Sequence, residues 1–244
     1  MQAVRGRAAR LWRRAAAALA ALLVAAVAGV AFAYPSLAAT TCPGCYGLSE
    51  LQPDVYAEKG LSGEQRARVG GVVEAARARL AAFYGGAVSR PRLLVCGTED
   101  CYRRIGGRKE RGVAVLNRSV MLSPRGLDAV IASHEMSHVE LHARLASGVE
   151  VPQWFDEGLA VVVSDDARYL APVSSADRCT ARPDGPLPET LDAWLGTASK
   201  DPSTYAKAAC QVHRWLRAHG ERQGLLTLVE RLNAGDSFAA AAGL

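Results

Sequence analysis

The chain has 244 residues, is 50% hydrophobic and 22% charged, and carries a formal net charge of +5. That composition excludes a disordered or fibrous polymer and suffices for one domain with its own core. The five arginines among residues 1–41 (Arg5, Arg7, Arg10, Arg13 and Arg14) meet no acidic residue there and account for the whole net charge. The remaining chain is balanced, so no basic face argues for a nucleic-acid partner.

The arginines precede an unbroken run, residues 15–33, of Ala, Leu, Val, Phe and a single Gly. As a helix this run spans about 28 Å, the thickness of the hydrocarbon core. It is longer than an ordinary cleaved apolar segment, yet it ends in two small-x-small sites, Ala31-Phe32-Ala33 and Ser36-Leu37-Ala38. Residues 1–41 therefore read as a signal peptide or as an N-terminal anchor held in the membrane through residues 15–33. In both cases residues 42–244, read as a single domain, lie outside the cytoplasm.

The six cysteines all follow this segment, and an even number beyond an export signal reads as disulfides. Local spacing favours Cys42–Cys45 and Cys96–Cys101, which leaves Cys179 for Cys210. Two other readings stand beside this one. The two close pairs have spacings near those of a structural zinc site, and Cys42-Pro43-Gly44-Cys45 has the spacing of a redox pair.

Residues 34–60, with Pro35, Pro43 and Pro53, read as an extended lead-in. Ser62, with Gln65 three residues on, opens a helix that Gly85-Gly86 stops near residue 84. Residues 92–96 form an apolar strand, and 98–104 one or two helical turns. Residues 113–116 and 119–122 read as two strands about Asn117-Arg118. Pro124 opens a helix to about residue 146, and another follows Pro152. Residues 171–188 are a Pro-rich loop. Asp201-Pro202 starts a helix stopped by Gly220, and a last helix covers about 222–232. The expected fold class is α+β: a small sheet early, then a mainly helical half.

Leu127, Ile131, His134, His138, Leu141 and Leu145 recur at alternating steps of four and three, one face of a helix. Two histidines thus share an apolar stripe one turn apart, where their ring nitrogens can meet on one ion. The segment His134-Glu135-Met136-Ser137-His138 is an H-E-x-x-H motif, with Glu135 rotated to reach a water beside the ion without ligating it. From five His and thirteen Glu in this chain, about 0.005 such motifs arise by chance. A catalytic zinc keeps three protein ligands. His142 stands about 12 Å of rise from His134 on the same helix, too far to share the ion, and reads as a solvated or supporting residue. Leu141 and Arg144 stand where a metzincin has Gly and His. The third ligand expected is Glu157, a carboxylate inside the apolar segment Trp154-Phe155-Asp156-Glu157-Gly158-Leu159-Ala160.

In H-E-x-x-H, followed after 18 residues by Glu in a W-x-x-E-G-x-A setting, the chain resembles the gluzincin metallopeptidases, namely the aminopeptidase-N-like group and smaller peptidase-MA-like proteins. The resemblance covers about residues 91–220. It implies a zincin-like fold with one Zn2+ per chain on His134, His138 and Glu157, and Glu135 as general base. Tyr205-Ala206-Lys207-Ala208-Ala209 resembles the Y-x-K-G-A segment that carries the proton-donating tyrosine, with Ala208 in place of Gly. The G-x-M-E-N segment that holds a substrate's amino terminus is absent, and so are the large flanking domains. The expected activity is therefore zinc-dependent hydrolysis of a peptide or protein substrate, as an endopeptidase. Tyr205 is the first candidate for the oxyanion donor, and His213, eight residues on, is the reserve. Either 113–116 or 119–122 would bind substrate by edge pairing. A zincin-like binding or assembly module without proteolysis is the alternative, with a cysteine-based envelope protein the third reading.

Overall fold

The computed structural model describes residues 2–244, and it is α+β, a five-stranded sheet beside a larger helical body. The first helix, α1 (Gln2–Ala33), contains a continuous apolar window, Ala16–Ala33, with none of its described residues buried in protein. The segment expected to be an extended lead-in is instead structured. It forms α2 (Pro35–Thr41), a 3-10 turn Pro43–Tyr46, and the hairpin β1 (Leu48–Gln52) and β2 (Val55–Glu58). Pro35 and Pro43 do not oppose this, because each sits in a first helical turn, where no backbone N–H is needed. Ala39 of α2 is fully buried, the Thr40 hydroxyl lies 3.0 Å from Ser119 Oγ, and Arg92 donates to the Thr40 carbonyl. The folded body thus reaches back to Pro35, seven residues before Cys42.

The long helix α3 (Gly63–Tyr84) starts at the expected capping box, with Ser62 and Gln65 bonding each other's backbone amides, and ends at Gly85 in the left-handed conformation. Then come β3 (Arg92–Val95), α4 (Glu99–Arg104, capped by Thr98), β4 (Gly112–Val115) and β5 (Ser119–Leu122). Strand order is β1-β2-β3-β5-β4, with β2, β3 and β5 parallel and an antiparallel strand at each margin. Leu93, Val95, Val120 and Leu122 face the helical body, while Leu94, Cys96 and Met121 face α2 and α4. Both faces of the sheet are covered, which is why its inner strands are apolar throughout rather than alternating.

The remaining helices are α5 (Ala129–Arg144), α6 (Gln153–Ser164), α7 (Leu191–Ala198), α8 (Thr204–Ala218), α9 (Arg222–Asn233) and α10 (Phe238–Ala242). Three expectations are corrected here. Pro124 opens a 3-10 turn, and α5 starts five residues later because Asp128 caps it by accepting from the Val130 amide at 2.6 Å. Asp201-Pro202 likewise does not open α8, which begins at Thr204 after Ser203, while Asp201 accepts from the Ser203 amide. The helix α7, for which no element was expected, is capped by Thr190 and anchored by Trp194, fully buried in the main core.

The three disulfides are Cys42–Cys45, Cys96–Cys101 and Cys179–Cys210, the pairing expected from local spacing, and no described cysteine is free to bind zinc. The last of them ties the loop after α6 to α8 across 31 residues. In the chain-entropy account such a closure contributes about 3.5 kcal/mol.

Candidate metal centre

The site stands where α5 and α6 pack together. One face of α5 is committed to the core through Ile131, Ala132, Met136 and Val139, so the helix cannot rotate without exposing them. That rotational setting brings the rings of His134 and His138 to 5.0 Å between centroids. In α6, Trp154, Phe155 and Leu159 are buried in the main core, and Glu157 is buried beside them with 8% of its surface exposed.

 The Glu157 Oε1 atom accepts a hydrogen bond from Gln153 Nε2 at 3.1 Å, one turn back on the same helix. Its Oε2 lies 3.3 Å from His134 Nε2 and 3.8 Å from His138 Nε2, and is buried with no aligned hydrogen bond.

The three side chains expected as ligands are therefore brought together, with one ligating atom from each lying within 4.8 Å of the others. A buried carboxylate oxygen without a donor is costly, at about 1–3 kcal/mol or more. Two imidazole nitrogens and a carboxylate oxygen converging on one point can hold a divalent cation, which would satisfy that oxygen. Among the described residues, this is the one such group of three.

Comparison with models of known protein families, with curated proteins and with solved structures finds no match for this chain.

One residue of the centre was not foreseen. Asp156 is buried beside Glu157, with Oδ1 2.7 Å from His138 Nδ1 and Oδ2 2.9 Å from His142 Nε2. Burial pushes its carboxyl up, but the His138 and His142 rings outweigh this and hold it well below the usual carboxylate range. An ionised Asp156 only accepts, so His138 carries a proton on Nδ1, and Nε2 is the ring atom turned toward Glu157. His142 thus has the supporting place expected of it, against Asp156. The signal for Asp156 was its position next to the candidate ligand Glu157 in an apolar helix, which burial alone turns into a requirement for partners.

Glu135 faces a cavity of about 300 Å3 lined also by Gly112, Ile131, His134, Arg168, Tyr169 and Tyr205. Burial raises its carboxyl above the ordinary value, the two imidazoles pull it back, and Glu157 pushes it up again. A Cβ on Gly112 would come within 2.8 Å of Glu135 Cγ, so the bare backbone there lets β4 approach α5. Burial likewise pushes the Tyr205 phenol up, and Glu157 adds to it, so the hydroxyl keeps its proton. The Tyr205 ring stacks on Tyr169 at 5.2 Å and meets Trp194 edge-on at 5.0 Å.

Two expectations end differently. His213 lines a separate surface depression with Asp177, Arg214 and Arg217, so it is not a reserve donor at this cavity. A step of eight residues leaves the α8 face that Tyr205 occupies by about 80°. Of the two strands offered for edge pairing, β5 lies between β3 and β4 with both sides paired, and β4 alone has the free edge.

Proposed function

We propose that the chain is an extracytoplasmic zinc-dependent peptide hydrolase with His134, His138 and Glu157 as metal ligands. The observation that carries this reading is Glu157 Oε2, buried without a hydrogen-bond donor and aimed at two imidazole nitrogens. The exposed apolar α1 and the three disulfides support export, with α1 as a membrane anchor or a removable signal.

Zinc bound at such a centre supplies a Lewis acid that makes water nucleophilic near neutral pH and polarises a carbonyl. Glu135 accepts the proton of the attacking water on its free carboxylate and returns it to the leaving nitrogen. The Tyr205 hydroxyl donates to the carbonyl oxygen as negative charge develops there. Asp156 keeps the His138 ring oriented through Nδ1. The free edge of β4, beside Glu135, pairs with an extended substrate main chain, which suits an endopeptidase.

The test uses the full chain in detergent. Elemental analysis is expected to find about one zinc per chain, lost in His134→Ala. Glu135→Gln is expected to keep the metal and abolish cleavage of a peptide library. Unchanged cleavage removes Glu135 from its role, and metal binding without cleavage in the unaltered chain favours a binding module.

A further inference from the structure

Arg168 lines the cavity that holds Glu135 and Tyr205, and nothing in the proposed reaction uses it. Its place is built rather than incidental. Asp166, 2% exposed, accepts from Arg168 Nε at 2.9 Å through Oδ1, from the Arg168 backbone amide at 3.0 Å, and from Nη2 through Oδ2. The guanidinium also lies over the Tyr169 ring, with Cζ 5.1 Å from its centroid, and that ring stacks on Tyr205. One edge of the fork is thus taken by a buried carboxylate and one face by an aromatic ring. The Nη1 group makes no hydrogen bond among the described residues, and the side chain remains 41% exposed.

The cavity lining carries three cations, Lys109, Arg111 and Arg168, against two acids, Glu110 and Glu135. Lys109 and Arg111 line the same cavity, and neither side chain has an ion-pair partner among the described residues. Of the two acids on the cavity, Glu135 is assigned to the reaction, and Glu110 Oε1 is occupied by the Tyr102 hydroxyl and the Arg108 amide. An anchored guanidinium with a free edge, on a cavity that Lys109 and Arg111 also line, matches a carboxylate and disfavours an ammonium.

We infer that Arg168 is a specificity residue that receives a substrate carboxylate, so the substrate class is acidic peptides. The inference rests on the proposed peptide-hydrolase reading for the meaning of the cavity. The carboxylate is borne by an Asp or Glu side chain near the scissile bond or by the peptide's own carboxy terminus. Asp166 is the positioning residue behind it.

The experiment measures binding first, so that it stands apart from turnover. Full-length Glu135→Gln protein in detergent, with zinc and with chelator, is titrated with fluorescent peptides of one length carrying Glu, Gln or Lys at a single position. A second set compares free with amidated carboxy termini. Expected is binding at least about ten-fold tighter for the peptide bearing the carboxylate than for its neutral partner. The first set reports a side-chain carboxylate and the second a terminal one. Arg168→Gln is expected to remove that preference, and Arg168→Glu to turn it toward the Lys peptide. In the active chain the same loss falls on KM more than on kcat. Equal binding of acidic and neutral peptides, no measurable binding of any peptide, or a preference that survives Arg168→Gln overturns the assignment. Because the unaltered Arg168 protein already reports the preference, a variant that fails to fold does not protect the inference. A carboxylate preference in a chain that cleaves nothing would overturn the hydrolase reading and keep this one.

Discussion

Asp156 Oδ1 lies 2.7 Å from His138 Nδ1, and this contact ties α6 to the α5 ring whose Nε2 faces Glu157. The same helix thus supplies one candidate ligand, Glu157, and the group that orients another, His138. Asp156→Asn is expected to weaken zinc binding by about 10–100-fold, since it lowers the basicity of the ring and loosens its tautomer. Competition with a chromophoric chelator measures it. Unchanged affinity would show that packing alone orients His138.

Tyr205 is held by stacking on Tyr169 and by Trp194, so removing its hydroxyl leaves the ring in place. Tyr205→Phe is expected to lower kcat by about 10²–10³ with little change in peptide binding. A defect confined to binding would assign the tyrosine a packing role.

Gly158 is where α6 and α8 touch. A Cβ there would lie 2.6 Å from the Ala208 carbonyl oxygen and 2.8 Å from Val212 Cγ2. A backbone carbonyl cannot step aside alone, so Gly158→Ala must move α8, which carries Tyr205 one turn earlier. A stability loss of about 1–3 kcal/mol is expected from such overpacking. Activity should fall with zinc content retained. Chemical denaturation and elemental analysis together check this, and a variant as stable and active as the parent would show that the helices separate freely.

Glu140 joins α5 to the turn before β3. Its fully buried carboxylate accepts from the Val88 and Ser89 amides, the Ser89 hydroxyl and Arg144. Burial pushes its carboxyl up, but these donors outweigh burial and hold it below its ordinary value. Glu140→Gln is expected to cost about 2–3 kcal/mol near neutrality. A depressed folded-state value means that the contribution is complete above the unfolded value of about 4.3 and is lost as pH falls through the folded one. Denaturation at several pH values should therefore show the gap between parent and variant closing on acidification. A gap independent of pH would point to lost packing instead.

The two small-x-small sites near the amino terminus are not equivalent once folded. Removal of residues 1–33 leaves α2 whole, whereas cutting after Ala38 would divide α2 just before its buried Ala39. If the exported protein is processed, its first residue is expected to be Tyr34. Amino-terminal sequencing checks this, and a chain beginning at Ala39 would show that α2 is dispensable.

The centre was largely legible because its parts are local. His134 and His138 are one helical turn apart, so periodicity alone puts them on one face, and Ser62 with Gln65 announces α3 through a bond three residues long. The hairpin of β1 and β2 was missed because residues 48–58 are half exposed and interrupted by Pro53; β2 becomes a strand by pairing with β3, and β1 by pairing with β2. The helix α7 was missed because its single anchor, Trp194, gains its energy only when the core closes over it.

What the amino-acid order determined unaided is whatever depends on neighbours within a turn or two: the apolar run at 15–33, the caps, the paired histidines and the close cysteine pairs. Tertiary structure alone decided that Asp156 faces His138, that β4 rather than β5 is the free edge, that His213 leaves the cavity, and that Arg168 enters it. The physical reason is that local bonds set which face of a helix or strand a side chain occupies. What that face meets depends on how distant segments pack.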